Sequence, residues 1–382
     1  MTSSPLRSAT RLARPILLAT LAAGAALVPG SQLVASNAYG ANDGSGGARS
    51  ALVTSGAPAA KRVPRRTSME YRLSLGLQAI NAHRAYAKGT TGQGVMVAMI
   101  DTGVSTAAAD LTSNLSRASA DLVQRRSAGV PLDRHGNETA QVVAASFDGV
   151  GTLGVAYGAT FLAIRVDLEG SCPTQCAARG ADVARGIDYA LAQGAKVIGV
   201  PLIGPRRLPS LEAALGRAAA AGAVVVAAAG NDGHGEPSWP ARYASDPRFT
   251  NAMIVAGAST YKGQLAGWSS KAGATQARYI AAPGHNVVVN CNAKYCNLVS
   301  GTSYSVSYVV GAIALILERH PRLDPQQAAA ILLSGARDIG RSGVDANSGR
   351  GVLDVARALR VADQWAAAPN DRLKAGTAVP VG

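Results

Sequence analysis

The chain has 382 residues, 48% of them hydrophobic and 16% charged, with 43 Gly and 18 Pro. That excludes a disordered or fibrous chain and leaves enough apolar side chains for a sizeable core. The formal net charge is +14, but half of it sits in residues 1–69, where eight basic residues face Asp43 alone; the rest is spread thinly, with no basic stripe interleaved with aromatics, so no nucleic-acid partner is expected.

Arg7, Arg11 and Arg14 precede an apolar run, Ile16 to Val28, which Pro29-Gly30 breaks before a small-residue triplet, Ser36-Asn37-Ala38. This is the order of a secretory signal, expected over 1–38. The run is too short to span a bilayer comfortably. Residues 39–69 are rich in Gly, Ser, Ala and Pro, with basic pairs at Lys61-Arg62 and Arg65-Arg66. They read as a disordered linker or short pro-segment. A folded domain is expected over 70–362 and a disordered tail over 363–382. No other segment reaches 18 uncharged apolar residues, so the mature chain is expected without a membrane anchor, as a secreted or periplasmic monomer.

Within the folded region, strands are predicted at Val95–Ile100, Thr160–Val166, Lys196–Val200 and Ala223–Ala229. Helices are predicted from near His135, over Ala181–Gln193, Ser210–Ala221 and Tyr304–Arg319, and from Asp324-Pro325, an acid cap followed by Pro in the first turn. Strands written as continuous apolar runs and alternating with helices imply an α/β, three-layer sandwich, with a mostly parallel central sheet covered on both faces. Chemistry in such sheets gathers at the carboxyl ends of strands. Asp101, Asn231 and the loop Pro201–Gly204 fall at such ends.

The four cysteines form two close pairs, Cys172 with Cys176 and Cys291 with Cys296. In an exported chain an even count reads as disulfides, each stapling a small loop. One tetrahedral zinc site made of all four thiolates is the alternative.

Taken singly, Asp101 after a strand, His135 at a helix start, Asn231 between Gly230 and Gly233, and Ser303 before an apolar helix are ordinary caps and turn residues. Together, in the frames Asp101-Thr-Gly103, His135-Gly136, Ala227-Ala-Ala-Gly-Asn231-Asp-Gly233 and Ser300-Gly-Thr-Ser303, they resemble the subtilisin-like serine peptidases (subtilases). The order Asp, His, Ser is the one known for subtilisin. Gly151–Ala156, Trp239–Tyr243 and Ala282-Pro-Gly284 extend the resemblance over about residues 70–361. Ile80-Asn-Ala82, Gly340–Asp345 and Gly349–Leu353 are most similar to the autotransporter-associated branch. Such relatives continue into a C-terminal β-barrel, whereas this sequence stops at Gly382, so release rather than surface display is expected.

The resemblance implies a subtilisin-like fold and an exported serine endopeptidase acting on peptide or protein substrates. Asp101, His135 and Ser303 would be its triad and Asn231 its oxyanion donor. Pro201, Leu202, Ile203, Gly204 and Gly230 would form the substrate-binding edge. No metal or other cofactor is expected. A Gly-x-Ser-x-Gly elbow and a Gly-x-Gly-x-x-Gly loop after the first strand are both missing, which excludes an α/β-hydrolase esterase and a dinucleotide-binding enzyme.

Three departures from the family pattern stand out. Glu138 and Gln141 replace the usual residues after His135, and Glu138 is expected near the site or as a helix cap. Tyr304-Ser305-Val306-Ser307 follows the nucleophile where the family has x-Ala-x-Pro. Pro201 and Ile203 occupy an edge that family members write Ser-Leu-Gly. A peptide adds a strand to that edge, so Ile203 is expected to narrow specificity. The alternative is a catalytically weakened subtilase-fold protein acting as a peptide- or protein-binding module.

Overall fold

A computed structural model describes residues 63–105, 108–123, 134–169, 171, 176–292 and 294–367. The expected signal and most of the linker therefore lie outside the described residues, as do Cys172 and the tail beyond 367. The described fold opens with three short helices, α1 (Met69–Leu73), α2 (Leu75–Ala79) and α3 (His83–Tyr86). The strands β1 (Met96–Asp101), β2 (Ala120–Asp121), β3 (Thr160–Arg165), β4 (Val197–Val200), β5 (Val224–Ala228), β6 (Met253–Ser259) and β7 (Tyr279–Pro283) form one sheet. Its order is β2-β3-β1-β4-β5-β6-β7, and every pairing in it is parallel. The helices α4 (His135–Ala144), α5 (Gly180–Ala192), α6 (Pro209–Ala220), α7 (Thr302–Arg319), α8 (Pro325–Ser334) and α9 (Val355–Ala366) surround it. A separate antiparallel ribbon joins β8 (Val287–Val289) to β9 (Asn297–Val299). This is the three-layer α/β architecture expected from the sequence.

The strands are apolar along their whole length because both faces are covered. Along β1, Val97 and Met99 enter the core beneath α4 and α7, whereas Ala98 and Ile100 enter the one beneath α5 and α6. Along β5, Val224, Val226 and Ala228 face the first core and Val225 and Ala227 the second. Alternation of side chains places consecutive residues on opposite faces, so neither set can be polar. Helix α7 is buried from Thr302 through Ile316 and packs across β4, β5, β6 and β7. That central position explains its unbroken apolar run from Val309 to Leu317.

One feature of the fold differs from expectation, and another decides the cysteine alternatives for the expected Cys291–Cys296 disulfide. First, α9 runs to Ala366, past the predicted limit of 362. Asp354 caps it by accepting the Arg357 N–H, and Trp365 is buried against the core. Asp363 pairs with Arg319, His320 and Lys88, so residues 363–366 belong to the folded domain rather than to the tail. Second, Cys291 is bonded to Cys296 across the β8–β9 ribbon, which removes the four-thiolate zinc site. Cys176 is also disulfide-bonded; its expected partner, Cys172, is outside the described residues. The cap at α8 is as predicted: Asp324 accepts the Gln327 N–H at 2.7 Å while Gln327 returns its amide oxygen to the Asp324 N–H.

Candidate active site

Asp101 is the last residue of β1, at the carboxyl end of the central strand pair. His135 opens α4. The two elements meet closely because Gly136 has no side chain: a Cβ there would lie 2.0 Å from the Gly103 carbonyl oxygen. The Gly136 N–H donates to the Thr102 hydroxyl at 2.9 Å, pinning the start of α4 to the loop after β1.

This junction sets His135 Nδ1 2.7 Å from Asp101 Oδ1. An ionised carboxylate only accepts, so Nδ1 carries the proton and Nε2 is left as the basic nitrogen. The remaining acceptor capacity of Asp101 is used by the Thr139 hydroxyl on Oδ2 and the Thr102 N–H on Oδ1, each at 2.7 Å. Burial pushes the Asp101 pKa up, but the nearby His135, its hydrogen bond and those of Thr139 and Thr102 together outweigh burial and hold it below the ordinary carboxylate value. Asp101 is thus kept ionised, with its side chain fixed by three donors.

Ser303 lies in the first turn of α7, where main-chain N–H groups have no partner within the helix. Its hydroxyl donates to the Pro201 carbonyl oxygen at 3.0 Å, tying the predicted nucleophile to the predicted substrate edge. The next residue, Tyr304, has its ring centroid 5.9 Å from that of His135. Asn231 accepts both the N–H and the hydroxyl of Thr302 on Oδ1, each at 2.9 Å. With the oxygen so occupied, the amide nitrogen of this exposed side chain is left as a donor. Gly230 has φ 111°, and a Cβ there would meet Ser238 Oγ at 2.6 Å, so only glycine fits in front of Asn231.

The predicted edge is partly engaged. Gly204 exchanges main-chain hydrogen bonds with Trp239, at 2.8 and 3.2 Å. Among the described residues no hydrogen bond engages the main-chain groups of Leu202 or Ile203, and the Ile203 side chain is 43% exposed. An extended peptide could therefore pair there. The structure thus brings Asp101 and His135 into contact, ties Ser303 to Pro201 and Asn231 to the residue before Ser303, and leaves the middle of the edge open. Among the described residues no group of three His, Cys, Asp or Glu side chains is placed to hold a metal ion.

Three residues of the site were not singled out from the sequence. Thr102 and Thr139 are hydroxyl residues one and four positions from predicted members, a signal present in the sequence but too common to use. Thr302, which orients Asn231, sits beside the nucleophile in the same motif. Glu138 is expected near the site or as a helix cap, and the first of these holds: among the described residues no side-chain cap bond forms at the start of α4. Its carboxylate instead accepts the Tyr304 hydroxyl on Oε2 and the Asn290 amide on Oε1, both at 2.8 Å.

Comparison with known proteins agrees with this geometry. Residues 92–351 match the family model described as the Subtilase family. The chain is 32% identical over 295 residues to an alkaline protease of Alkalihalobacillus alcalophilus, covering 77% of this chain and 72% of the relative. It is 32% identical over 286 residues to Subtilisin Savinase of Lederbergia lenta, covering 75% and 98%. It is 31% identical over 298 residues to Subtilisin E of Bacillus subtilis (strain 168), covering 76% and 73%.

Proposed function

Because this chain belongs to the subtilase family and is a serine endopeptidase, we propose that Asp101, His135 and Ser303 are its triad, with Asn231 as oxyanion donor. The observation that carries this reading is the 2.7 Å contact between Asp101 and His135. A buried ionised acid there has a direct use, since it fixes the tautomer that leaves Nε2 basic.

In the proposed cycle the Ser303 hydroxyl turns from the Pro201 oxygen to His135 Nε2, gives up its proton and attacks the scissile carbonyl carbon. The negative charge that develops on the carbonyl oxygen is met by the Asn231 amide and the Ser303 N–H, donors fixed before the reaction begins. His135 then passes the proton to the departing amine. Water, deprotonated by the same nitrogen, releases the acyl group from Ser303. Asp101 stays ionised throughout and stabilises the imidazolium. The peptide lies along Pro201–Gly204, its main chain pairing with the open groups of Leu202 and Ile203.

The same reading includes export as a monomer by a signal over 1–38, with a linker over 39–69. The apolar run after three arginines and the disulfide at Cys291–Cys296 support an oxidising destination. Among the described residues no helix is long and apolar enough to cross a membrane. Kinship with the autotransporter-associated branch rests on the motifs quoted above. The second reading, a weakened enzyme that binds peptides, is favoured by one observation, the exposed Ile203 side chain on the substrate edge.

Labelling with a serine-directed phosphonate separates the two. Ser303 should carry the adduct and the Ser303→Ala variant should carry none. An unlabelled Ser303 in folded protein would leave the binding reading.

A further inference from the structure

Glu138 and Tyr304 are both more than nine-tenths buried, at 6% and 5% exposure. The carboxylate of Glu138 accepts from two neutral donors, the Tyr304 hydroxyl and the Asn290 amide. Among the described residues no Lys or Arg forms an ion pair with it. A buried carboxylate without a cation is costly unless some process supplies a positive charge nearby. The residue one helical turn before it is His135.

We propose that Glu138 is a positioning residue of the site: a second carboxylate, held in place by Tyr304 and Asn290, that favours the imidazolium form of His135 during turnover. This rests on the triad reading above. Residues three apart on a helix have Cβ atoms about 5–6 Å from one another. A carboxylate within about 4–6 Å of an imidazole favours its charged form, and one pH unit of such a shift is about 1.4 kcal/mol. Tyr304 fixes the geometry from the other side, since it follows Ser303 in the chain and its ring packs near His135. Asn290 anchors the far oxygen and is itself locked to α4, donating its N–H to Gln141 Oε1 and accepting the Gln141 amide on Oδ1.

The charged groups on the elements packed against α4 do not replace Glu138 in this role. From β1 comes Asp101, already bonded to His135. From β3 comes Arg165, which is paired with Asp167 at 2.8 Å. From the turn at 109–111 comes Asp110, whose main-chain oxygen takes the Ser146 N–H beyond the opposite end of α4. From α7 comes Tyr304, and from the turn between β8 and β9 the neutral Asn290. On α4 itself Arg134 is exposed at the N-cap.

The test is the pH profile of kcat/KM on a chromogenic peptide anilide, with thermal melts as a folding control. Glu138→Gln is expected to move the acid limb about one unit to lower pH and to lower kcat about tenfold, with KM unchanged. Tyr304→Phe keeps the charge and is expected to move the limb by less than half as much. If Glu138→Gln does not fold, Glu138→Met with Tyr304→Phe removes acceptor and hydroxyl together and should give the same limb shift. In the Ser303→Ala background, the His135 ring resonances should titrate lower by the same amount when Glu138 is neutralised. A limb that stays within about 0.2 units (roughly a fifth of the expected shift), or a Tyr304→Phe shift as large as that of Glu138→Gln, overturns the proposal. Ser303→Ala also separates the two readings: retained hydrolysis would remove the triad itself, whereas an inactive Ser303→Ala with an unmoved limb removes only the role of Glu138.

Discussion

Replacing Thr139 with Val tests how Asp101 is held. The two side chains have the same shape, Thr139 is fully buried, and its hydroxyl donates to Asp101 Oδ2 at 2.7 Å. The change therefore deletes a hydrogen bond to a buried ionised carboxylate, together with the longer contact of the same hydroxyl to the Gly136 carbonyl oxygen at 3.2 Å. A bond to a charged group contributes about 1.5–3 kcal/mol, and that is the expected loss of stability at pH 7. The same energy corresponds to a rise of about 1–2 units in the Asp101 pKa. The sign of the pH dependence follows from the direction of the native shift. Asp101 is depressed in the folded protein, so its stabilisation is full above the unfolded value near 3.9 and disappears as pH falls through the folded value. The destabilisation caused by Thr139→Val should accordingly be largest at neutral pH and should shrink as the pH is lowered toward 3. Urea unfolding at pH 7 and near pH 3, in the Ser303→Ala background to prevent self-digestion, measures both. A loss that is equal at the two pH values would mean that packing, not support of the carboxylate, is what Thr139 provides.

Other substitutions probe other parts of the molecule. Asn231→Leu should lower kcat by about 10²–10³-fold with little change in KM, the order known for the equivalent kind of donor in subtilisin itself; steady-state kinetics on a peptide anilide checks it, and an unchanged kcat would remove Asn231 from the oxyanion site. Ile203→Gly should broaden cleavage of a peptide library, because it clears the side chain that stands exposed on the substrate edge; an unaltered profile would mean that specificity is set elsewhere. Asp354→Ala removes the cap on Arg357 N–H and the acceptor for the Asn81 amide, each at 2.9 Å, and should lower stability by about 1–2 kcal/mol while kcat stays at the parent value, as differential scanning and turnover measurements would report.

Much of the fold was legible because burial on both faces leaves a simple trace. The strands β1, β3, β4 and β5 appear within a residue or so of their predicted limits, since each is an uninterrupted apolar run. The strand β6 was not predicted. Its run is broken by Gly257, where a Cβ would lie 1.7 Å from the Tyr279 hydroxyl oxygen, so the glycine that makes room for a neighbour also hides the strand. The folded domain is expected to end at 362 because the last turn of α9 mixes Asp363 and Gln364 with Trp365; what holds that turn is pairing with Arg319 and Lys88, 44 and 275 positions away. The order β2-β3-β1-β4-β5-β6-β7 has no local signal at all, because parallel pairing is fixed by crossovers rather than by the strands themselves.

The site shows a sharper version of the same limit. In the sequence, Glu138, Gln141 and Tyr304 are three unrelated departures from a family pattern, two after the histidine and one after the serine. In the fold they share one contact region. Glu138 spans from Tyr304 to Asn290, and Gln141 exchanges two hydrogen bonds with that same Asn290. Asn290 itself, with φ 50°, directly precedes the Cys291–Cys296 staple. Each polar group would be costly to bury alone, and each is satisfied by another member of the set. A single reversion toward the family pattern would therefore orphan the remaining partners. Glu138→Ala alone should cost more stability than Glu138→Ala combined with Tyr304→Phe, because the double change leaves fewer buried donors without acceptors. Equal or greater loss in the double variant would mean that the two departures are independent after all.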